Sequence, residues 1–425
     1  MTNPELLQLL RSEVIPAIGC TEPIAVALCT ARAKELLGAE PDSITVHLSK
    51  NVYKNALAVG IPNTGMTGLP IAIALGATVG RSEYMLEVLR DATPEAVAYA
   101  KAYMLRVPAT IKVDYEAPSL LYIHVEVSSN GQTAQATIMD EHTHFVEPGT
   151  RNQEASNISE IDTTANTLSL RRVYDFAASV DTSELTFLLE GAEMNTAAAE
   201  TSFADQYGHG LGRLLRANTL TATPEMEKLF GNTLFTKIIS YTCGACDARM
   251  SGAMVQVMSN SGSGNQGISC SIPVYLYAKE NNCTEEQTLR ALALSNLTVI
   301  YIKQSLGRLS ALCGCVVAAT GSAAGITYLM GGTYDEITYA IKNMIANISG
   351  MICDGAKPGC ALKVTSGVAT AIFSAYLAMQ HSYADSTEGI VEDDIDRTIR
   401  NLTRIGHDGM KVTDDLILDI MTHKQ

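Results

Sequence analysis

No tryptophan occurs in these 425 residues, phenylalanine occurs only seven times, and aromatics make up 6% of the chain. A core this poor in large rings must be built from Ala, Leu, Ile, Val and Met, with Gly and Ala letting helices approach closely. Charge is also scarce, at 18% against 47% apolar, which excludes a disordered chain. Basic residues are the scarcer sign: 30 Lys and Arg face 45 Asp and Glu, for a net charge of −15. An acidic surface repels phosphate backbones, and no Lys/Arg run offers an anchor to anionic lipid. Neither nucleic acid nor membrane is therefore an expected partner. The opening segment MTNPELLQLLRSEVIPAIG lacks the basic and apolar regions of a signal peptide, so a cytoplasmic location is expected.

Three stretches carry no Asp, Glu, Lys or Arg: Ser251–Ala278, Leu309–Tyr334 and Val364–Ala384. Their length would permit membrane spans. SNSGSGNQG interrupts the first, GSAAG and a late GG the second, and Ser, Thr, Gln and His are scattered through the third. They read as central helices of a large core. The length of the chain implies two domains. Residues 40–150 pattern as an α+β unit with an antiparallel sheet, from strands at Ser43–Ser49, Thr110–Tyr115, Leu120–Ser128 and Thr133–Asp140. Asn130-Gly131 marks a hairpin turn between the last two. The polar segment Glu147–Asn166 reads as a connector. From about residue 168 the pattern is helical throughout, with about ten helices and no clear strand. The expected architecture is α+β: an N-terminal domain over 1–165 and an all-helical domain over 166–425.

Ten cysteines are present, eight of them after residue 240. In a reducing compartment such clustering points to metal ligation or catalysis rather than disulfides. Cys29, Cys270, Cys283 and Cys315 read as small buried residues. Cys353-Asp-Gly-Ala-Lys-Pro-Gly-Cys360 places two thiols around a Gly/Pro turn, and Cys313-Gly-Cys315 lies upstream at the start of an uncharged helix. Thiolates from these two segments would suit an iron–sulfur cluster, with a zinc site or inert thiols as the alternatives. Three ligands would leave one iron open as a Lewis acid. Lys357, in the same loop, is a candidate catalytic side chain. Cys243-Gly-Ala-Cys246 lacks the setting of a redox pair and reads as structural.

Ser259, Asn260, Ser261, Ser263 and Asn265 belong to a glycine-rich loop, SNSGSGNQG, whose N–H groups and short side chains suit a small carboxylate. Neither a phosphate-loop lysine nor a preceding strand accompanies it, so a nucleotide is not expected. Cys20, in GCTEP, sits just before a helix whose dipole would favour its thiolate. Base, nucleophile, iron ligand and plain buried cysteine all remain open for it. Asn51 and Asn55, with Lys50 and Lys54, precede the turn of Asn63 and Thr64. These groups could hold a carboxylate or amine between domains, although spacing alone favours an exposed polar face. His142 and His144 read as surface residues.

IGCTEPIAVAL, KN-x-x-KNA-x-x-VGIPNTG, DARMSGAM-x-x-VMSNSGSGNQG, LSALCGC and GMICDGAKPGCALKV together resemble the L-cysteine desulfidase family. More distantly the chain is similar to the iron–sulfur L-serine dehydratases, in which a small α/β domain precedes a helical domain carrying a [4Fe-4S] cluster. The resemblance implies conversion of L-cysteine to hydrogen sulfide, ammonia and pyruvate, with L-serine dehydration as the alternative on the same scaffold. It implies Cys313, Cys353 and Cys360 as cluster ligands, with Cys315 as the competitor, and Cys20 as the essential N-terminal cysteine. The implied partner is a small amino-acid substrate; a homodimer is compatible with the sequence.

Overall fold

The computed structural model describes residues 1–147, 168–221 and 223–424. It contains two apolar cores. One lies beneath a five-stranded sheet ordered Thr110–Asp114, Ser43–Ser49, Tyr122–Ser129, Gln132–Met139 and Phe145–Val146. The alternation read from the sequence sets its face: Ile44, Val46 and Leu48 are buried against the helix Thr21–Leu37 and its neighbours. The turn at Asn130-Gly131 has positive φ at both residues (51° and 79°), the geometry that matches the twist of a two-residue hairpin. One pairing departs from expectation. Ser43–Ser49 and Thr110–Asp114 run parallel, because the chain between them returns through helices, a crossover long enough for parallel strands. The boundary expected at 165/166, and the connector apart from Glu147, lie outside the described residues.

The second core is helical and centres on Gly314–Leu329, buried along nearly its whole length. This helix packs on Gly264–Glu280, Glu285–Leu306, Tyr334–Ile348 and Cys360–Met379. Its small residues permit that density: a Cβ on Gly321 would stand 2.5 Å from the Ser295 carbonyl. Of the uncharged stretches, Cys360–Met379 alone among the described residues makes a helix of length and composition sufficient to cross a bilayer. It is less central than expected, since Phe373, Tyr376 and Leu377 are exposed.

Two short elements missed by the periodicity join the halves. Pro16–Ile18 and Gln256–Met258 pair as antiparallel strands. The helix Leu234–Met250 ends before the second of them, in a region read as helical throughout. Three residues are too few to show alternation. The first helix, Asn3–Glu13, buries Leu6 and Leu10 in the helical core, not beneath the sheet. A second tie is electrostatic. Lys54 is 2% exposed and pairs with Asp414 of the helix Lys411–Thr422, which also accepts from Asn51, while Lys50 pairs with Asp415. Lys54 Nζ lies 3.4 Å from the Cys353 carbonyl.

Removing one partner of a buried ion pair leaves an uncompensated charge and costs about 3–5 kcal/mol. Asp414→Ala is therefore expected to lose roughly that much stability in urea denaturation. Lys50→Ala, whose partner Asp415 is solvent-exposed, should lose under about 1 kcal/mol.

Candidate active site

Four helices begin at one cavity of about 100 Å³. Cys20, Thr21 and Glu22 line it from the start of Thr21–Leu37, and Ser263, Asn265 and Gln266 from the start of Gly264–Glu280. Cys313, Gly314 and Cys315 come from the start of Gly314–Leu329, and Cys360 opens Cys360–Met379. Each end brings the positive pole of its dipole, although the first N–H groups of Cys360–Met379 are paired with the Lys357, Pro358 and Gly359 carbonyls. The wall is completed by Asn55, Arg249, Met250 and the Cys353–Ala356 segment.

Backbone pairing brings the thiols together. Cys313 N–H donates to the Met351 carbonyl at 2.9 Å and Cys353 N–H to the Ala311 carbonyl at 2.7 Å, closing a bridge between Leu312 and Ile352. Gly355 then turns the chain at φ +84°, where a Cβ would strike the Lys54 carbonyl at 2.7 Å. The thiols differ in acidity. Cys313 and Cys315 share a hydrogen bond, Sγ to Sγ at 3.3 Å, and despite burial this contact brings Cys313 down to about 7, aided by Lys363 and Lys357. Cys315, in turn, is pushed well up by the same contact and by burial. Burial and the charge of Cys313 push Cys353 up to about 12, and burial likewise raises Cys360. Among the described residues no three His, Cys, Asp or Glu side chains are grouped to share a single metal ion. Cys315 lines the cavity rather than sitting apart in the core. Cys29 and Cys270 are buried with backbone partners elsewhere. Cys246 is buried beside Cys360, and burial raises both it and Cys243.

On the opposite wall stands a residue that sequence reasoning passed over inside DARMSGAM. Arg249 is 1% exposed. Its Nη1 donates to Asn265 Oδ1 at 2.9 Å, but Nε and Nη2 have no partner in the protein. The guanidinium lies flat on the helix start at Gly264, where a Cβ would come within 2.3 Å of Nε. A buried, unpaired cation with a free planar edge is poised for a carboxylate.

Cys20 and Glu22 form a second unit. Cys20 Sγ donates to Glu22 Oε2 at 3.2 Å, Thr21 Oγ1 to the same oxygen at 3.1 Å, and Asn55 Nδ2 to Oε1 at 3.1 Å. The expected dipole-stabilised thiolate is not what results. Burial, then the charge of Glu22, push the Cys20 thiol well above its ordinary value, so the dipole is outweighed. Burial also opposes the charge of Glu22, yet His142, the Cys20 thiol and Arg249 hold it below the usual carboxylate range.

The other expected residues divide. Ser263, Asn265 and Asn55 line the cavity. Ser259 Oγ donates to the Ile15 carbonyl at 2.6 Å, Asn260 Nδ2 to Asn296 Oδ1 at 2.9 Å, and Ser261 Oγ to Asn260 Oδ1 at 2.8 Å. These three shape the loop. Asn51 belongs to the Asp414 clasp, Asn63 Nδ2 donates to the Ala92 carbonyl at 2.8 Å, and Thr64 Oγ1 to the Ile61 carbonyl at 2.7 Å. Lys357 pairs with Asp354 at 2.5 Å and does not line the cavity. Gln266, not anticipated, lines it with Oε1 unpartnered. His142 is no surface residue: it is 4% exposed, while His144 is exposed as expected.

Comparison with known proteins gives the family of the chain. The chain is 56% identical over 426 residues to UPF0597 proteins of Phocaeicola vulgatus and Bacteroides thetaiotaomicron, covering 99% of this chain and 98% of each relative. It is 42% identical to a UPF0597 protein of Oleidesulfovibrio alaskensis over 434 residues, covering 100% of each. The family model for the serine dehydratase alpha chain matches residues 83–419, a span that contains Arg249 and the thiols of Cys313, Cys353 and Cys360. The chain thus belongs to the serine dehydratase alpha chain family, a lyase-type family, and is a serine-dehydratase-like protein.

Proposed function

We propose that this protein is a carbon–sulfur lyase that eliminates sulfide from L-cysteine, leaving an aminoacrylate that hydrolyses to pyruvate and ammonia, with a [4Fe-4S] cluster as cofactor. The observation that carries this reading is the unpaired guanidinium of Arg249 in one small cavity with Cys313, Cys353 and Cys360. The donor set fits the cluster. Three soft thiols line one cavity, the ligand chemistry of an iron–sulfur centre. The helix ends behind Cys313 and Cys360 stabilise the negative charge such a centre carries. Cys315, whose Sγ lies 3.3 Å from Cys313 Sγ and also reaches Met351 Sδ and the Lys363 carbonyl, stays the competing ligand. When bound, the cluster supplies a Lewis acid for the departing β-substituent.

The protein's own residues do the remainder. Arg249 takes the substrate carboxylate through Nε and Nη2, and Gln266 Oε1 and Glu22 offer acceptors to the ammonium. Cys20 reaches the α-proton. As a neutral thiol it becomes a base only by handing its own proton to Glu22, with which it already shares a hydrogen bond. L-Serine dehydration is the second reading, favoured by the family itself.

Anaerobic reconstitution is expected to yield about four iron and four acid-labile sulfide per chain. The kcat/KM for L-cysteine should exceed that for L-serine by at least about tenfold. Stoichiometric zinc without iron sinks the cluster, and a preference for L-serine moves the assignment to the dehydratase. Arg249→Gln should raise KM by about 30- to 150-fold, the loss of a charge-assisted pair of roughly 2–3 kcal/mol. Its melting temperature should hold or rise, since an unpaired buried charge is gone; an unchanged KM would show that the carboxylate binds elsewhere. Cys20→Ala should keep its iron while kcat falls at least ~100-fold, whereas loss of iron would assign Cys20 to the ligand set.

A further inference from the structure

His142 is buried beside the site, yet the steps above make no use of it. Neither Nδ1 nor Nε2 has a hydrogen-bond partner within the protein, although the residue is only 4% exposed. Buried polar groups are rarely left so, and the exceptions ask for a role. The ring lies against Gly262, where an added Cβ would stand 2.7 Å from Nδ1 and 3.3 Å from Arg308 Nη1. Gly262 has φ +75°, so one glycine serves both the turn and the imidazole. The charged groups that face the ring are Glu22 from the helix Thr21–Leu37, Arg308 and Lys303 from the end of Glu285–Leu306, and Glu141 from its own loop.

Glu22 opens on the cavity. Arg308 pairs with Glu13 at 2.8 Å and with Glu141 at 3.1 Å, and it lines a surface groove of about 750 Å³ together with Lys50, Tyr115 and His407. The charges of both Glu22 and Arg308 act on the His142 ring, and the glycine that abuts the ring also abuts Arg308.

We propose that His142 is the proton relay of the site, carrying the proton taken from the substrate out from Glu22 to the Arg308–Glu141 pair at the surface. This rests on the elimination reading above. The Cα–H proton passes to Cys20 sulfur as the Cys20 thiol proton moves to Glu22, and the C–H electron pair forms the new double bond while hydrosulfide leaves with the C–S pair. Glu22, now a carboxylic acid, gives its proton to one nitrogen of His142 across a bridging water. The other nitrogen releases a proton toward Glu141. Cys20 thiol, Glu22 carboxylate and neutral imidazole are restored, with one proton exported per turnover. Burial holds the imidazole down to about 4, against the pull of Glu22, so at pH 7 it is neutral and can accept on one nitrogen while donating from the other.

His142→Gln keeps a polar side chain but cannot carry a proton. In the reconstituted enzyme it should lower kcat at least ~30-fold, with KM within about twofold. His142→Ala should be equally slow, and added imidazole should restore activity by about tenfold or more in a concentration-dependent way, which a structural role would not give. A folded His142→Gln enzyme with wild-type kcat overturns the relay, as does a folded His142→Ala enzyme that imidazole does not restore. If wild type turns over neither L-cysteine nor L-serine, the elimination reading fails on its own. The relay is then decided by the histidine ring NMR of the unliganded protein, also the arbiter if the His142 variants do not fold. Glu22→Gln should move the His142 titration down by roughly half a pH unit or more, and no movement overturns the coupling.

Discussion

Four positive helix ends and an unpaired guanidinium meet in one small cavity, and much of the molecule is arranged to tolerate that. Such a convergence is unfavourable unless negative charge completes it. The proposed contents, thiolates with their cluster and an amino-acid carboxylate, supply that charge from opposite walls. The glycines and alanines of the helical core follow from the same constraint. Helix starts can share a cavity of about 100 Å³ only if the helices behind them cross closely. Gly264 and Gly321 admit those approaches, since a Cβ at either would come within 2.5 Å of a neighbouring atom.

One of the four ends does not belong to the helical core. The helix Thr21–Leu37 is packed under the sheet, and its first turn must be delivered across the junction. The strand pair of Pro16–Ile18 with Gln256–Met258 fixes the register of the chain just before Cys20. The Lys54–Asp414 pair fixes the helix Lys50–Ala56 beside Cys353, and Asn55 of that helix reaches Glu22. Cys20 and Glu22 are thus mounted on one unit, and the thiols of Cys313, Cys353 and Cys360 on the other. Among the ties that set their relative position are the two short strands, the buried Lys54–Asp414 pair and the backbone bonds of Gly60 and Asn63 to Met250 and Gly252.

The pattern of unusual residues made part of this legible before any coordinates. Cys313, Cys353 and Cys360 stand out because thiols flanking Gly and Pro have few ordinary roles, and Asn130-Gly131 announces its hairpin because few dipeptides accept two positive φ values. Arg249 did not stand out, because an arginine in a helix looks the same in sequence whether its head is solvated or sealed. The three-residue strands are shorter than any period they could display. The asparagines and lysines of KN-x-x-KN were read as a polar face, whereas their partners, Asp414 and Asp415, lie more than 350 residues away in the chain. Cys20 was placed at a helix start with its role left open, and position alone does not show that burial and a neighbouring carboxylate push its thiol up against the helix dipole.

The distribution of protons in the cavity bears on how a substituent can leave. Around the thiols the lining is Gly314, Cys315, Gly355, Ala356 and Val364, with Lys54 reaching the Cys353 carbonyl and Lys357 and Lys363 engaged with Asp354. Cys315 Sγ contacts Cys313 Sγ, Met351 Sδ and the Lys363 carbonyl. Hydrosulfide is a weaker base than hydroxide and asks less of a proton donor, while a Lewis acid assists the departure of either. Cys20 and Glu22, the groups given the proton-moving role in the proposed elimination, share a hydrogen bond beside Arg249. On that reading the acid–base pair serves the α-carbon and assistance at the β-substituent falls to the cofactor, a division that suits carbon–sulfur and carbon–oxygen cleavage alike.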